Sequence, residues 1–291
     1  MTGRIAATVP VPVRRDVGIA TMVAGNGEVW VNASPNLVHI DPRAATVRRV
    51  VGFGSPHRDS GLLGAGAIAV GFSTVWITGG RLIPTLAHRV ARLDTATGAF
   101  LRPVVIPDGV PNGVAVGRGS AWVSTTTGRI VRIDQATGTV QQVIPVAHSL
   151  DTVVYGAGFV WAADALRGAV YRIDPRMGTV APAVRIPGNL GALVAGEGSL
   201  WILDSVAGTV SSLDPGSDHA AAPVRVGDAA TAIAAGVGSV WISSLDGKVR
   251  KIDRRTREIT RIETGVPLVA IAVDGRTRTV WATVARTAPA G

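Results

Sequence analysis

Groups able to do acid–base, nucleophilic or metal chemistry are sparse in this chain. It has no cysteine, which excludes a disulfide, a thiolate metal site and a cysteine nucleophile. The five histidines, His39, His57, His88, His148 and His219, are scattered, and none pairs with another at ligand spacing. Glutamate is confined to Glu28, Glu197, Glu258 and Glu263. A general acid, a general base and a metal cannot be assembled from these, so no catalytic and no metal residue is assigned. Two other sets remain. Asn112, Asp151, Asp164 and Asp204, joined by His57, Arg58, Asp59 and Arg81, mix amides, carboxylates and cations in the way a weakly polar pocket for a small ligand or cation needs. Arg254, Arg255, Arg257, Arg276, Arg278 and Arg43 carry the chemistry of an anionic contact, as planar forks of N–H donors on charges that do not titrate.

The elements that carry these residues are marked by seven tryptophans, Trp30, Trp76, Trp122, Trp161, Trp201, Trp241 and Trp281. Their intervals are 46, 46, 39, 40, 40 and 40 residues. A strand-rich repeat of about 40–45 residues is the signature of a β-propeller with one four-stranded blade per repeat. The reading is an all-β, seven-bladed β-propeller, one domain over residues 1–291. The third repeat shows the plan. Residues 113–117, 120–124, 129–134 and 139–144 are β-branched runs between turns, strands a to d. The tryptophan lies on strand b and is expected to fill the wedge between blades. The a–b link is Gly-x-Gly, as at Gly25, Gly117, Gly196 and Gly236, where glycine is expected to supply a positive φ. The c–d link is Asp-x-x-Thr-Gly or a variant of it. Asp41, Asp94, Asp134, Asp174, Asp214 and Asp253 are therefore read as turn caps, not as a catalytic supply.

The ends extend this reading. Residues 2–10 match the start of a strand d, so an N-terminal strand is expected to close the ring on the Trp281 blade. Strand c of that blade has no clear counterpart. Either that blade is incomplete, with three strands, or the chain is a fragment of a larger protein.

The pattern G-x-G-S-[VAL]-W-[VI] … R-[IL]-D-x-x-T-G-x-V … P-x-G-[IV]-A-V-G resembles the streptogramin (virginiamycin B) lyase-like and YVTN-type propellers over nearly the whole chain. WD-type and Kelch propellers fit the pattern less well, because no Trp-Asp dipeptide occurs. The resemblance implies a propeller. For a streptogramin lyase it would also imply a His in a Pro-His-Gly lead-in to strand a, further His and Glu, and a divalent metal. The matching lead-in here is Pro111-Asn112-Gly113, and no strand-a lead-in carries a His. Lyase activity of that kind is therefore not expected, and a divalent cation enters only under that alternative.

Departures from the repeat mark the candidate contact surfaces. The two longer intervals place insertions at residues 52–65 and 78–87, a d–a and a b–c link that emerge on the same face. They carry His57, Arg58, Asp59 and Arg81. Asn112 and Asp151 precede strand a of neighbouring blades on that face, and Asp164 and Asp204 follow strand b there. On the opposite face, Arg257 replaces the repeat glycine of the sixth c–d turn, and Arg276 and Arg278 enlarge the next a–b turn. Arg43, Arg48 and Arg49 follow one blade further on. Residues 250–278 hold eight basic and four acidic side chains, a local +4.

Bulk composition agrees with a folded propeller. Hydrophobic residues are 47% and charged residues 17%, which excludes intrinsic disorder. No apolar run reaches the roughly 18 residues of a membrane helix without Gly-rich turns interrupting it. Residues 1–15 lack the apolar stretch of a signal peptide, so the chain reads as cytoplasmic unless it is a piece of a longer exported protein. Net charge is +9, and only Lys248 and Lys251 among 29 basic residues are lysines. An acidic protein surface or a small ligand suits this charge. Nucleic acid is disfavoured, because no Tyr or Phe accompanies the Arg cluster for base stacking. The expected function is a non-catalytic binding module, a sensor or adaptor, with no cofactor. The alternatives are a lyase- or hydrolase-type enzyme using Asn112, Asp151 and His57 at the mouth of the central channel, and a structural ring that self-assembles.

Overall fold

Strand b is hydrophobic on both faces, and strand d alternates apolar with polar residues. The first predicts a strand buried from both sides, the second an edge strand with one face in solvent. The computed structural model describes residues 6–11, 21–33, 36–52, 66–79 and 88–284. It divides into two compact units, Met1–Gly61 with Val226–Gly291, and Leu62–Arg225.

The first unit opens with the antiparallel sheet β1 (Thr21–Gly25), β2 (Glu28–Ala33), β3 (Asn36–Asp41) and β4 (Thr46–Gly52). β2 is almost wholly buried, and β4 alternates between exposed and half-buried residues.

The second unit holds four such meanders. They are β5 (Ile68–Gly71), β6 (Thr74–Thr78), β7 (Arg89–Asp94) and β8 (Phe100–Val105); β9 (Pro111–Gly117), β10 (Ser120–Thr125), β11 (Arg129–Asp134) and β12 (Val140–Pro145); β13 (Thr152–Gly156), β14 (Phe159–Asp164), β15 (Ala169–Ile173) and β16 (Val184–Arg185); and β17 (Ala192–Gly196), β18 (Ser199–Asp204), β19 (Thr209–Leu213) and β20 (Val224–Arg225). The outer strands β16 and β20 have two residues each. Pro182 and Pro223, which have no N–H to give a ladder, stand just before them.

The first unit is completed by β21 (Ala230–Gly236), β22 (Ser239–Ser244), β23 (Lys248–Asp253) and β24 (Ile259–Glu263), and by a two-stranded sheet, β25 (Leu268–Asp274) with β26 (Thr279–Val284).

The expected seventh blade is corrected here. Among the described residues the chain forms six four-stranded blades. The Trp281 repeat supplies only the β25–β26 hairpin among the described residues. A tryptophan marks strand b alone, and residues 285–291, which follow β26, lie outside the described residues. Of the ring-closing strand expected over residues 2–10, residues 2–5 lie outside the described residues. Residues 6–11 form no strand. Pro10 has no N–H to donate. Val9 and Val11 nevertheless pack, half-buried, against the core around Val29, Val31 and Val38, beside Trp281.

The six blade tryptophans are buried to within 2% exposure, whereas Trp281 is half-buried. Each lies opposite a residue of strand c. Four of those partners are cations held over an aromatic ring of the blade: Arg92 over Trp76, Arg132 over Trp122, Arg172 over Phe159 and Lys251 over Trp241, at 5.1 to 5.6 Å. In the first blade the partner is His39, stacked on Trp30 at 4.2 Å.

The a–b turns place positive φ at the second and third positions of Gly-x-Gly, as at Arg118 (+53°) and Gly119 (+71°). The first glycine serves a different need. A Cβ on Gly117 would sit 1.9 Å from the Tyr155 ring, and one on Gly236 would sit 2.6 Å from Val273. That position is small because the next sheet crosses it.

Candidate functional site

The carboxylates of the second unit are built into turns. Asp164 ends β14 and is fully buried. Its Oδ1 accepts the Arg167 N–H at 3.0 Å, and its Oδ2 pairs with the Arg167 guanidinium at 3.1 Å. Asp204 ends β18 in the equivalent place. Its Oδ1 accepts the N–H groups of Val206 and Ala207 at 3.0 and 2.8 Å, and its Oδ2 accepts the N–H of Asn189 at 2.8 Å. Burial works to raise the Asp204 carboxyl. The N–H groups of Ala207, Asn189 and Val206 together outweigh it and hold the group below its ordinary value. In the neighbouring blade Thr125 fills the same position, and its Oγ1 accepts the Arg129 N–H. The position after strand b is therefore a cap for the b–c turn.

Asn112 and Asp151 are also engaged. The Asn112 amide donates to the Leu150 carbonyl at 2.9 Å, and its own carbonyl accepts from the Thr78 hydroxyl at 2.8 Å. Asp151 is exposed, and its Oδ2 accepts the Ala165 N–H at 2.7 Å. Asn112 thus joins consecutive blades, and Asp151 fastens the lead-in of its blade to that blade's own b–c turn. His57, Arg58, Asp59 and Arg81 lie outside the described residues. Among the described residues no three His, Cys, Asp or Glu side chains gather closely enough to hold a metal ion.

The arginine set of the first unit sits on turns at one end of its sheets. Arg254 and Arg255 are exposed on the β23–β24 turn. There Asp253 Oδ1 accepts the N–H groups of Arg255 and Thr256 at 2.8 and 3.0 Å. Arg257 takes the left-handed position of that turn, with φ +63°. The β25–β26 link repeats the same device out of place. Asp274 is fully buried and accepts the N–H groups of Arg276 and Thr277 and the Thr277 hydroxyl, and Arg278 takes the left-handed position at φ +56°. Asp274-Gly-Arg-Thr-Arg278 is thus a c–d-type turn inserted between an a and a b strand.

Arg43 and Arg276 come together. A cleft of about 230 Å³ is lined by Gly27, His39, Asp41, Pro42, Arg43, Arg48, Arg276 and Thr277. Arg276 crosses to the β1–β2 turn, where its Nη1 donates to the Asn26 carbonyl at 3.3 Å. Gly27, at φ +80°, gives it room, since a Cβ there would lie 3.3 Å from Arg276 Cδ. Asp41 Oδ1 accepts the N–H groups of Arg43 and Ala44 at 2.9 and 3.1 Å. The Ala44 and Arg43 N–H groups, aided by the charge of Arg48, hold the Asp41 carboxyl below its usual range. Burial lowers the His39 imidazole pKa; Glu28 pulls it up, and Arg48 and Arg49 push it further down. His39 and Thr277 were not singled out from the sequence as contact residues. The one available signal was register, because His39 replaces the cation found opposite Trp76, Trp122 and Trp241.

Meandering four-stranded sheets repeated along the chain, each with a buried strand-b tryptophan, define an all-β β-propeller. Among solved structures the chain is similar to the crystal structure of the RRP9 WD40 repeats, with a TM-score of 0.75 and 11% identity over 94% of this chain and 89% of that one. At that identity the likeness concerns the fold. It reaches a WD40 propeller although this chain lacks the Trp-Asp dipeptide. No protein-family model matches the chain, and no curated protein matches it. The likeness to streptogramin lyase-like and YVTN-type propellers therefore stands at the level of the propeller alone. Among the described residues no helix is long and apolar enough to cross a membrane.

Proposed function

We propose that this propeller is a non-catalytic recognition module whose contact surface is the set of arginine-bearing turns in the first unit, and that its partner is an acidic protein segment. The observation that carries this reading is the contrast between the two candidate sets. Asp164, Asp204 and Asp151 spend their oxygens on turn N–H groups, whereas Arg43, Arg255 and Arg278 are exposed on turns and Arg276, also exposed, reaches across to the β1–β2 turn. Exposed guanidinium groups on rigid turns favour carboxylate or phosphate partners and steer their approach. The repeat motif supports placing the chain beside the streptogramin lyase-like and YVTN-type propellers. Asn112, with its amide tied to Leu150, stands where such a lyase would carry its lead-in His, and this supports binding over lyase chemistry. The reading calls for no cofactor.

The test is binding of the intact chain to an immobilised Asp/Glu-rich peptide across a salt series. The triple variant Arg254→Glu, Arg255→Glu, Arg278→Glu is expected to weaken binding at least about tenfold at low salt, with a smaller difference at high salt. Equal binding by the variant and the parent protein would remove the proposed surface.

A further inference from the structure

We infer that the cleft between the β1–β2, β3–β4 and β25–β26 turns is a binding site for a phosphate monoester dianion. This deepens the proposed function and rests on reading these turns as the contact surface. The argument begins with charge. Arg43, Arg48 and Arg276 line one cleft, opposed there only by the Asp41 carboxylate. With His39 neutral the lining carries a formal +2, which a dianion matches. Among the described residues neither Arg43 nor Arg48 takes part in an ion pair of the kind that Arg129–Asp108, Arg167–Asp164, Lys248–Glu263 and Arg250–Asp246 form.

The nearby acids are engaged elsewhere. Asp41 caps its own turn, Asp274 holds Arg276 and Thr277 by their N–H groups, and Glu28 accepts the Trp30 indole N–H at 3.2 Å. Three guanidinium groups thus line one cleft with a single carboxylate, Asp41, among them, which leaves a local excess of positive charge. That costs stability through like-charge repulsion, and a bound dianion offsets it.

Size and shape agree. At about 30 Å³ per water, the cleft of about 230 Å³, open to solvent, has space for a tetrahedral oxyanion with a few waters. Guanidinium forks suit the paired oxygens of phosphate, and here Arg43 and Arg48 of the β3–β4 hairpin face the cleft together with Arg276 of the β25–β26 turn. The walls are positioned by the fold. His39 is 97% buried and stacked on Trp30, Arg276 is fastened to Asn26, and Asp41 fixes the turn that carries Arg43. Only the tips of Arg43 and Arg48 remain to be ordered on binding, which keeps the entropic loss small.

The experiment is isothermal titration of the intact chain with orthophosphate, phenyl phosphate, a phosphoserine peptide and the same peptide unphosphorylated. The parent protein is expected to bind the phosphorylated ligands at least about tenfold more tightly than the unphosphorylated peptide. Arg43→Ala with Arg48→Ala, both on exposed side chains, is expected to erase that preference while leaving the thermal midpoint within a few degrees of the parent. Arg43→Lys with Arg48→Lys keeps the charge but loses the forks, and should retain part of it. Orthophosphate binding as tight as the phosphopeptide would identify free phosphate as the source of the same chemistry; a phosphopeptide preferred over both small ligands would identify a modified side chain. Equal affinity for the two peptides, or phosphate binding untouched by the double alanine variant, overturns the inference. Because Arg254, Arg255 and Arg278 do not line the cleft, the triple charge reversal tests the acidic-segment reading separately. Loss of one result with survival of the other says which has failed.

Discussion

Gly117 and Gly119 stand two residues apart in one turn and are glycine for different physical reasons. Gly119 has φ +71° with open space around its missing Cβ, so only backbone conformation requires it. Gly117 has no such φ, but a Cβ there would lie 1.9 Å from the Tyr155 ring. Gly119→Ala should therefore cost about 1 kcal/mol, the strain of a left-handed non-glycine residue. Gly117→Ala should cost about 1–3 kcal/mol as an overpacking change. A double-mutant cycle read by urea denaturation separates the two. Tyr155→Ala should relieve much of the Gly117→Ala penalty and none of the Gly119→Ala penalty. Additivity in both cycles would show that the approach of β13 is not what keeps Gly117 small. Arg257 and Arg278 occupy left-handed positions of the Gly119 kind, which places two candidate contact arginines on strained backbone.

The element that organises each blade is strand b, and its tryptophan is wired differently from blade to blade. In four blades the indole N–H donates to the carbonyl of the glycine that opens the a–b turn, as Trp122 does to Gly117 at 3.2 Å and Trp161 does to Gly156 at 3.1 Å. In the second blade the equivalent carbonyl, on Gly71, is taken by the Gln135 amide at 2.6 Å, and the Trp76 N–H is left buried without a partner. Arg92 follows the same route into the next blade, donating to the carbonyls of Gln135, Ala136 and Thr137. The stacking of consecutive sheets there displaces a bond that the repeat would otherwise make. Trp281 differs more, being half-buried in a two-stranded sheet with its N–H on the Thr279 hydroxyl at 3.0 Å. Trp122→Ala is therefore expected to cost about 3–5 kcal/mol. Trp281→Ala should cost about 1–2 kcal/mol, because less apolar area leaves water there. Urea midpoints of the two variants check this, and equal losses would mean that the Trp281 hairpin is as deeply packed as a full blade.

At the scale of the whole molecule, the sequence makes the blades legible through local chemistry. Tryptophan spacing, Asp-x-x-Thr-Gly turns and alternating edge strands each report on residues a few positions apart. The blade count departs from the tryptophan count because a tryptophan reports strand b alone, whereas a blade also needs strands c and d, and the Trp281 repeat shows only β25 and β26 among the described residues. Asp164 and Asp204 are read from the sequence as pocket residues, and the glycine four residues after each, as in the c–d turns, is the signal of their cap role that this reading passes over. The cleft at Arg43 and Arg276 was only half legible. Arg276 stands out as a departure from the repeat and Arg43 as a basic residue one blade further on, but their meeting with His39 depends on turns some 230 residues apart in sequence, which no local pattern reports. The same turn chemistry sets how stability responds to pH. Asp41, Asp134, Asp174 and Asp253 are held below the ordinary 3.8, chiefly by the turn N–H groups of Ala44, Thr137, Arg176 and Thr256 respectively. Asp246 is lowered to about 2 by hydrogen bonds from Arg250, whose side chain is 8% exposed. A carboxyl with a depressed folded-state pKa contributes stability that is in place above its unfolded value and is lost as pH falls through the folded one. The thermal midpoint should therefore hold level down to about pH 5 and drop progressively below about pH 4, while the net charge of +9 grows more positive as carboxylates take up protons. Asp246→Asn should lower stability at neutral pH by about 2–3 kcal/mol, the penalty of a buried guanidinium without its counter-charge, discounted because Asp246 is one-third exposed. It should also flatten the decline between pH 4 and 2, since that carboxylate's share is already gone. Calorimetric scans of both proteins across this range decide the matter: an unchanged acid slope in the variant would show that the pair with Arg250 does not drive the transition.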